Sequence, residues 1–360
     1  MNCKTIIHGG DLEKAAARFG RLASEMIDFS ANINFMGPPP GVREAILNSL
    51  SKVDAYPEID AGDLNKTIGA FYGVDPGELL SGNGASELLY AVTQSLGRKR
   101  ALIPSPTFSE YEGATLGTEV QVDFTYFREE DDFYPNGEAL TGELPEDGLV
   151  FLCNPNNPTG VLTAKEDLSR IIERAAGKNT CVVLDESFMD FVLKEEEWSF
   201  LQETNIPDNL IIIRSLTKFF ALPGLRLGFL RACTSLREKI ALNLPPWNVN
   251  VFAQEAGKVL FGADTIRERR EILCEEKEYL FREMKKIEGL YPYSPGANYV
   301  FCKVLDGPKN PELQNLLGKK GVYIRNCSSF KGLDGRFFRV AVKSRRDNDV
   351  LLGFLKDIFG

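Results

Sequence analysis

The stretch Ser215-Leu216-Thr217-Lys218-Phe219-Phe220-Ala221-Leu222-Pro223-Gly224-Leu225-Arg226-Leu227-Gly228 sets one amine and one guanidinium around a Pro-Gly turn. A lysine amine can condense with an aldehyde, and the planar donor fork of Arg226 matches the oxygens of a phosphate. Together they suit an aldehyde cofactor that carries a phosphate. An isolated Ser-x-x-Lys spacing also occurs around solvated surface lysines, so the weight falls on three further segments. Asn154-Pro155-Asn156-Asn157-Pro158-Thr159-Gly160 follows the apolar run 148–153 and reads as the loop leaving a buried strand, its two prolines fixing a backbone that can aim an asparagine between them at a ligand. Cys181-Val182-Val183-Leu184-Asp185-Glu186 is a short strand ending on a carboxylate, which could equally cap a turn. Leu80-Ser81-Gly82-Asn83-Gly84-Ala85-Ser86-Glu87 is a small-residue turn opening a helix with Leu88, Leu89, Val92 and Leu96 on one face. Free N–H groups at such a start form an anion site, although an ordinary loop-to-helix junction has the same composition.

Apolar runs at 100–103, 149–153, 181–185, 210–214 and 227–231 alternate with helical stretches such as 164–176. That order predicts an α/β fold with a mostly parallel sheet covered on both faces and functional loops at the strand ends. After Leu244-Pro245-Pro246-Trp247, the segment 249–287 predicts an extended helix, interrupted near Gly262-Ala263-Asp264 and leading into a smaller C-terminal α+β unit. The expected organisation is an N-terminal arm over 1–44 packed with the small unit, a large cofactor-binding domain over 45–246, and a linking helix with the small domain over 247–360.

At 360 residues the chain suits a large domain plus a smaller one, and 43% hydrophobic with 26% charged residues is ordinary for a globular protein. A net charge of −9 argues against a general nucleic-acid or membrane surface. No apolar run reaches a membrane span, and Met1-Asn2-Cys3-Lys4-Thr5-Ile6-Ile7-His8 lacks a secretory core. The seven scattered cysteines form no Cys-x-x-Cys pair, which points to reduced thiols in a cytoplasmic protein and to neither zinc nor a disulfide framework.

In chain order, the phosphate cradle, loop asparagine, strand-end aspartate, lysine and arginine resemble the fold-type I aminotransferase family, whose members use pyridoxal 5'-phosphate. The resemblance runs over nearly the whole chain and implies a seven-stranded, mostly parallel sheet in the large domain. It implies that Lys218 carries the cofactor and Asp185 pairs with its pyridine nitrogen. Asn157 would bond the ring's phenolic oxygen, Phe108 stack on the ring, and Ala85, Ser86, Ser215 and Arg226 hold the phosphate. Tyr56, in Ala55-Tyr56-Pro57-Glu58, matches a tyrosine that reaches the phosphate from a second subunit, so a homodimer is implied. One departure is visible: many members have a tyrosine three residues after the aspartate, where this chain has Phe188. The hydroxyl it lacks would contribute roughly 0.5 to 1.5 kcal/mol to holding the ring, which argues against ordinary transamination; simple core packing is the other reading.

The flanking segments resemble a decarboxylating branch of the family. They are His8-Gly9-Gly10, Asp28-Phe29-Ser30-Ala31-Asn32-Ile33-Asn34, Ile324-Arg325-Asn326-Cys327-Ser328-Ser329-Phe330 and Arg336-Phe337-Phe338-Arg339-Val340. The implied substrate is a small phosphorylated amino acid, L-threonine O-3-phosphate, decarboxylated in cobalamin biosynthesis. His8, the Gly9 backbone, Asn32 and Arg325 would hold its phosphate, Arg339 its carboxylate, and Asn157 would also touch it. Such a substrate carries up to three negative charges, so an acidic protein needs local cations for it; as surface groups the same arginines would contribute little. The alternatives are histidinol-phosphate or another transamination, serine phosphate as substrate, a pyridoxal-dependent binding module without catalysis, and a doubly wound domain that binds no cofactor.

Overall fold

The apolar runs of the central chain become strands whose successive residues are buried on opposite faces of one sheet. Residues 9–360 are described in the computed structural model. Their strands are β1 (Ile27–Asp28), β2 (Leu79–Gly82), β3 (Arg100–Ser105), β4 (Gln121–Tyr126), β5 (Leu149–Cys153), β6 (Cys181–Asp185), β7 (Leu210–Ser215), β8 (Gly228–Ala232), β9 (Leu290–Pro292), β10 (Tyr299–Val304), β11 (Val322–Tyr323), β12 (Arg325–Asn326) and β13 (Phe337–Ala341). The large sheet has seven strands in the order β2-β8-β7-β6-β5-β3-β4. Val150, Leu152, Val182, Leu184, Leu210 and Ile212 join one core with the helices Gly62–Tyr72, Lys165–Gly177 and Val251–Gly257. Leu149, Phe151, Cys181, Val183, Ile211 and Ile213 join the other, beneath Ala85–Ser95 and Thr234–Ala241. Strands covered on both faces must be apolar throughout, which is why these runs were visible as continuous rather than alternating patterns.

The sheet is mostly parallel, as expected, with one exception: β8 runs antiparallel to both β7 and β2. Its reversal follows from the connection, because the loop bearing Lys218 returns the chain directly, whereas a parallel neighbour needs a long crossover. Two strands lie outside the expected set. β2 is four residues ending on Gly82 and has a turn-like composition, yet β8 pairs with it from Leu79 to Gly82. β4 is an edge strand of exposed and half-buried residues, so no apolar run marks it. The long segment after Trp247 is divided as its glycine suggested, into helices Val251–Gly257 and Ala263–Met284.

The second, antiparallel sheet has the order β12-β13-β10-β9, and its core packs against the helices Ala263–Met284 and Arg345–Phe359. The early chain is stitched to this unit: β1 pairs in parallel with β11, Phe29 donates its N–H to the Tyr323 carbonyl at 2.8 Å, and Ala341 donates to the Phe29 carbonyl at 2.9 Å.

Behind the ends of β6 and β7 lies a buried ion cluster. Arg214, fully buried, meets Glu186 at 2.9 Å, Asp190 at 3.0 Å and Glu195 at 3.2 Å. Arg270 adds a second cation on Glu195 at 2.9 Å, and the Tyr72 hydroxyl donates to Asp190 at 2.9 Å. Burial pushes the Glu186 and Asp190 carboxyls upward, against the pull of Arg214. Since Glu186 follows Asp185 and Arg214 precedes Ser215, the cluster fixes the two strand ends against each other. Replacing Arg214 by Met would leave Glu186 and Asp190 in the core without an ion-pair partner, with an expected loss of about 3–5 kcal/mol of folding free energy. Urea unfolding of the variant and the parent measures it.

Candidate active site

The pairing register sets the site. Cys153 is opposite Asp185, while Ser215 and Gly82 both lie opposite Gly228. The C-terminal ends of β2, β6 and β7 therefore open together. Two residues past Gly82, Gly84 caps the helix Ala85–Ser95 with φ 82° and ψ 161°, a conformation essentially reserved for glycine. No side chain caps that helix start, so its N–H groups point outward as an anion site. The Arg226 guanidinium lies against Gly84, where an added Cβ would come within 2.3 Å of it. A Cβ on Gly228 would come within 2.7 Å of the Ala85 nitrogen, so the helix start and β8 touch through bare backbone. Ser215 shares a 2.8 Å hydrogen bond with Thr217, and both hydroxyls lie 3.4 Å from the Lys218 amine.

Lys218 is half-buried, and desolvation, aided by Arg226 and Arg339 against the opposing pull of Asp185, lowers its amine to about 8. The reactive neutral form is thus far better populated than for an ordinary lysine near 10.4. Asp185 is buried, its Oδ2 accepting from the Tyr111 hydroxyl at 2.8 Å and its Oδ1 from the Ser187 N–H at 2.9 Å. Phe188 lies in the core, its ring edge-on to Tyr299 at 5.1 Å and 5.8 Å from the Lys218 amine. The packing reading of that position is what the structure shows.

On the other side of the cleft, Arg339 donates to the Asn157 amide oxygen and, at 2.8 Å, to the Ser30 carbonyl. Arg325 is the cross-strand partner of Arg339. It donates to the Asn326 carbonyl and the Ser329 hydroxyl, each at 2.9 Å. Among the described residues neither amide atom of buried Asn32 has a hydrogen-bond partner, and the Arg339 Nε likewise has none. Gly9 lies against Ser30, where a Cβ would meet the carbonyl oxygen at 2.4 Å. Asn34 joins the two sides, its N–H donating to the Lys218 carbonyl at 3.1 Å and its side chain to the Phe219 carbonyl at 2.9 Å. His8 lies outside the described residues. Tyr56 is on the surface, 79% exposed and stacked on Trp247 at 4.4 Å.

Several residues of the site carried no recognisable signal in the chain. Tyr111 reaches Asp185 from a separate helix, Glu110–Thr115. Asn156 accepts from Thr107 at 2.8 Å and donates to the Pro106 carbonyl at 2.9 Å, tying the Asn157 loop to the Phe108 segment. Asn298 donates to the Asn32 carbonyl at 3.1 Å. A bare helix start, an arginine on it and a desolvated amine fit an aldehyde bearing a phosphate, and the unpartnered Asn32 fits a polar ligand beyond it.

Residues 24–355 match the sequence model of aminotransferase class I and II. The chain belongs to this aminotransferase family. Within it, the chain is 32% identical over 353 residues to a threonine-phosphate decarboxylase of Salmonella typhimurium strain LT2, covering 98% of this chain and 96% of that protein. A solved L-threonine-O-3-phosphate decarboxylase from Porphyromonas gingivalis superposes with a TM-score of 0.80 at 26% identity, covering 91% of this chain and 98% of the other. A histidinol-phosphate aminotransferase from Clostridium acetobutylicum superposes at 0.84 with 31% identity and the same coverage of 91% and 98%. The aminotransferase family depends on pyridoxal phosphate, and the site has the donors to hold it.

Cofactor capture needs the neutral amine, so its rate in the cofactor-free aminotransferase-family protein is expected to rise with pH through a midpoint of about 8. Visible absorbance followed over time at a series of pH values measures this; a midpoint near that of free lysine would contradict it. Replacing Gly84 by Ala drives a methyl into Arg226 and is expected to weaken cofactor retention roughly tenfold or more, as loss of a charge-assisted bond does. Equilibrium dialysis of the loaded variant gives the figure.

Proposed function

We propose that the protein decarboxylates L-threonine O-3-phosphate, with pyridoxal phosphate on Lys218, to (R)-1-aminopropan-2-yl phosphate and carbon dioxide for cobalamin biosynthesis. The observation that carries this reading is the direct cross-strand pairing of Arg325 with Arg339, which are only 6% and 5% exposed. Directly opposed residues of an antiparallel pair share a face, and like charges there repel. Burial, with a smaller push from Arg325, lowers Arg339 to about 10, still charged at neutral pH. A substrate with both a phosphate and a carboxylate relieves that repulsion. Names of relatives such as the Salmonella protein support the same choice.

In this reading Arg325, Asn32 and the Gly9 backbone hold the substrate phosphate, and Arg339 with Asn157 holds the α-carboxylate. Asp185 keeps the pyridine nitrogen protonated, and the bound cofactor supplies the sink for the electron pair released at the α-carbon. Which α-carbon bond breaks is set by how the two anion holds orient the substrate across the ring. Lys218, with its proton affinity lowered, returns a proton to the α-carbon once carbon dioxide has left.

The surface run Leu47, Leu50, Val53, Tyr56 and Ile59 is between 53% and 79% exposed and supports a homodimer in which Tyr56 reaches the partner's phosphate cradle. Free, buried Cys153, Cys181, Cys302 and Cys327 suit a reducing compartment such as the cytoplasm. Among the described residues no helix is long and apolar enough to cross a membrane.

Incubation with threonine phosphate in the absence of any keto acid is expected to release carbon dioxide and aminopropanol phosphate in equal amounts. Stoichiometric amino transfer to 2-oxoglutarate would instead establish a transaminase. Replacing Arg339 by Ala is expected to lower kcat/KM roughly tenfold to a hundredfold, the loss of a hydrogen-bonded ion pair. For the dimer, mixing Lys218→Ala subunits with Tyr56→Ala subunits is expected to yield activity above that of either variant alone.

A further inference from the structure

We propose that Tyr111 is a positioning residue that sets the orientation and proton affinity of Asp185, and through it the electron demand of the bound cofactor ring. The inference rests on the pyridoxal phosphate reading above. Tyr111 has no exposed surface, and its hydroxyl donates to Asp185 Oδ2 at 2.8 Å while the Ser187 N–H occupies Oδ1 at 2.9 Å. Both carboxylate oxygens are therefore held before a ligand arrives, and a pyridine N–H must share one of them. The phenol is itself fixed: its ring stacks on Phe151 at 5.4 Å and meets the edge of Phe108 at 5.7 Å. Phe108 lies two residues before the short helix Glu110–Thr115, and its carbonyl accepts from the Tyr111 N–H at 3.3 Å, so the proposed stacking ring and the donor to Asp185 are tied together.

The other titratable groups facing Asp185 are Cys153, Lys218 and Tyr299. Burial pushes the Cys153 thiol and the Tyr299 phenol upward, so both stay neutral, and the Tyr299 hydroxyl is committed to the Asn156 carbonyl at 2.7 Å. Burial, reinforced by Asp185, likewise keeps Tyr111 protonated. Tyr111 is thus a donor throughout the working pH range. A donor drains negative charge from the carboxylate and moderates its grip on a protonated ring nitrogen; the donor's acidity sets how far.

The test compares the parent protein, Tyr111→Phe, and the protein with 3-fluorotyrosine placed at 111, whose more acidic phenol donates more strongly in nearly the same shape. Two quantities are read: the dissociation constant of pyridoxal phosphate from each protein, and the pH midpoint of the bound cofactor's visible band. Tyr111→Phe leaves Asp185 Oδ2 unheld, and the lost orientation is expected to outweigh the less moderated grip and weaken cofactor binding roughly tenfold. The midpoint is expected to rise in Tyr111→Phe and fall with 3-fluorotyrosine, following donor strength. Equal midpoints in all three, or shifts of the same sign in both variants, would overturn the proposal and leave Tyr111 a packing residue. If Tyr111→Phe fails to fold, the fluorinated protein alone decides by the sign of its shift. A parent protein that gains no visible band would instead defeat the cofactor reading on which the proposal rests.

Discussion

The lateral register of the large sheet is the constraint on which the site depends. Gly82, Gly228 and Ser215 lie in one row, with Asp185 ending the adjacent strand β6, so a helix start, a hydroxyl and a carboxylate emerge at the same edge. A slip of one residue would turn Asp185 to the opposite face of the sheet and bury its neighbour in its place. The ion cluster around Arg214 opposes such a slip, because it links Glu186 after β6 to the penultimate residue of β7 through fully buried contacts. Lys218 follows three residues beyond the end of that row, on the loop that reverses the chain into β8. Its amine is left between the Asp185 carboxylate and Arg226, poorly solvated, and burial lowers its pKa to about 8.

The small sheet is joined to the large one by the early chain. Phe29 is hydrogen-bonded to Tyr323 and Ala341, Ser30 to Arg339, and Asn34 to the backbone of Lys218 and Phe219. This strap spans the cleft, so displacement of the small sheet is felt at the lysine. The cross-strand register sets two like charges, Arg325 and Arg339, on one face of the small sheet.

Much of this was legible in the chain because the chemistry lies on short linear segments. Lys218 and Arg226 share one loop, Asp185 ends an apolar strand, and Gly84 opens an amphipathic helix, so strand ends and turn residues sufficed to find them. Tyr111 and Asn298 were not legible, since their partners Asp185 and Asn32 lie 74 and 266 residues away and nothing local marks the pairing. The direction of β8 was hidden for a similar reason, being decided by a loop rather than by the strand's own composition. β4, with no fully buried residue, has no apolar run to reveal it. The resemblance carried the proposed roles of Arg325 and Arg339, whose composition alone suits surface ion pairs equally well; their burial rules out the surface reading.

The central claim is that one nitrogen, the Lys218 amine, carries the cofactor. Loading the protein with pyridoxal phosphate, reducing it with borohydride and mapping the peptides by mass tests this directly. The account predicts a single stable label on the peptide containing Lys218, absent when that residue is replaced by alanine. A label on any other lysine, or none, would contradict it.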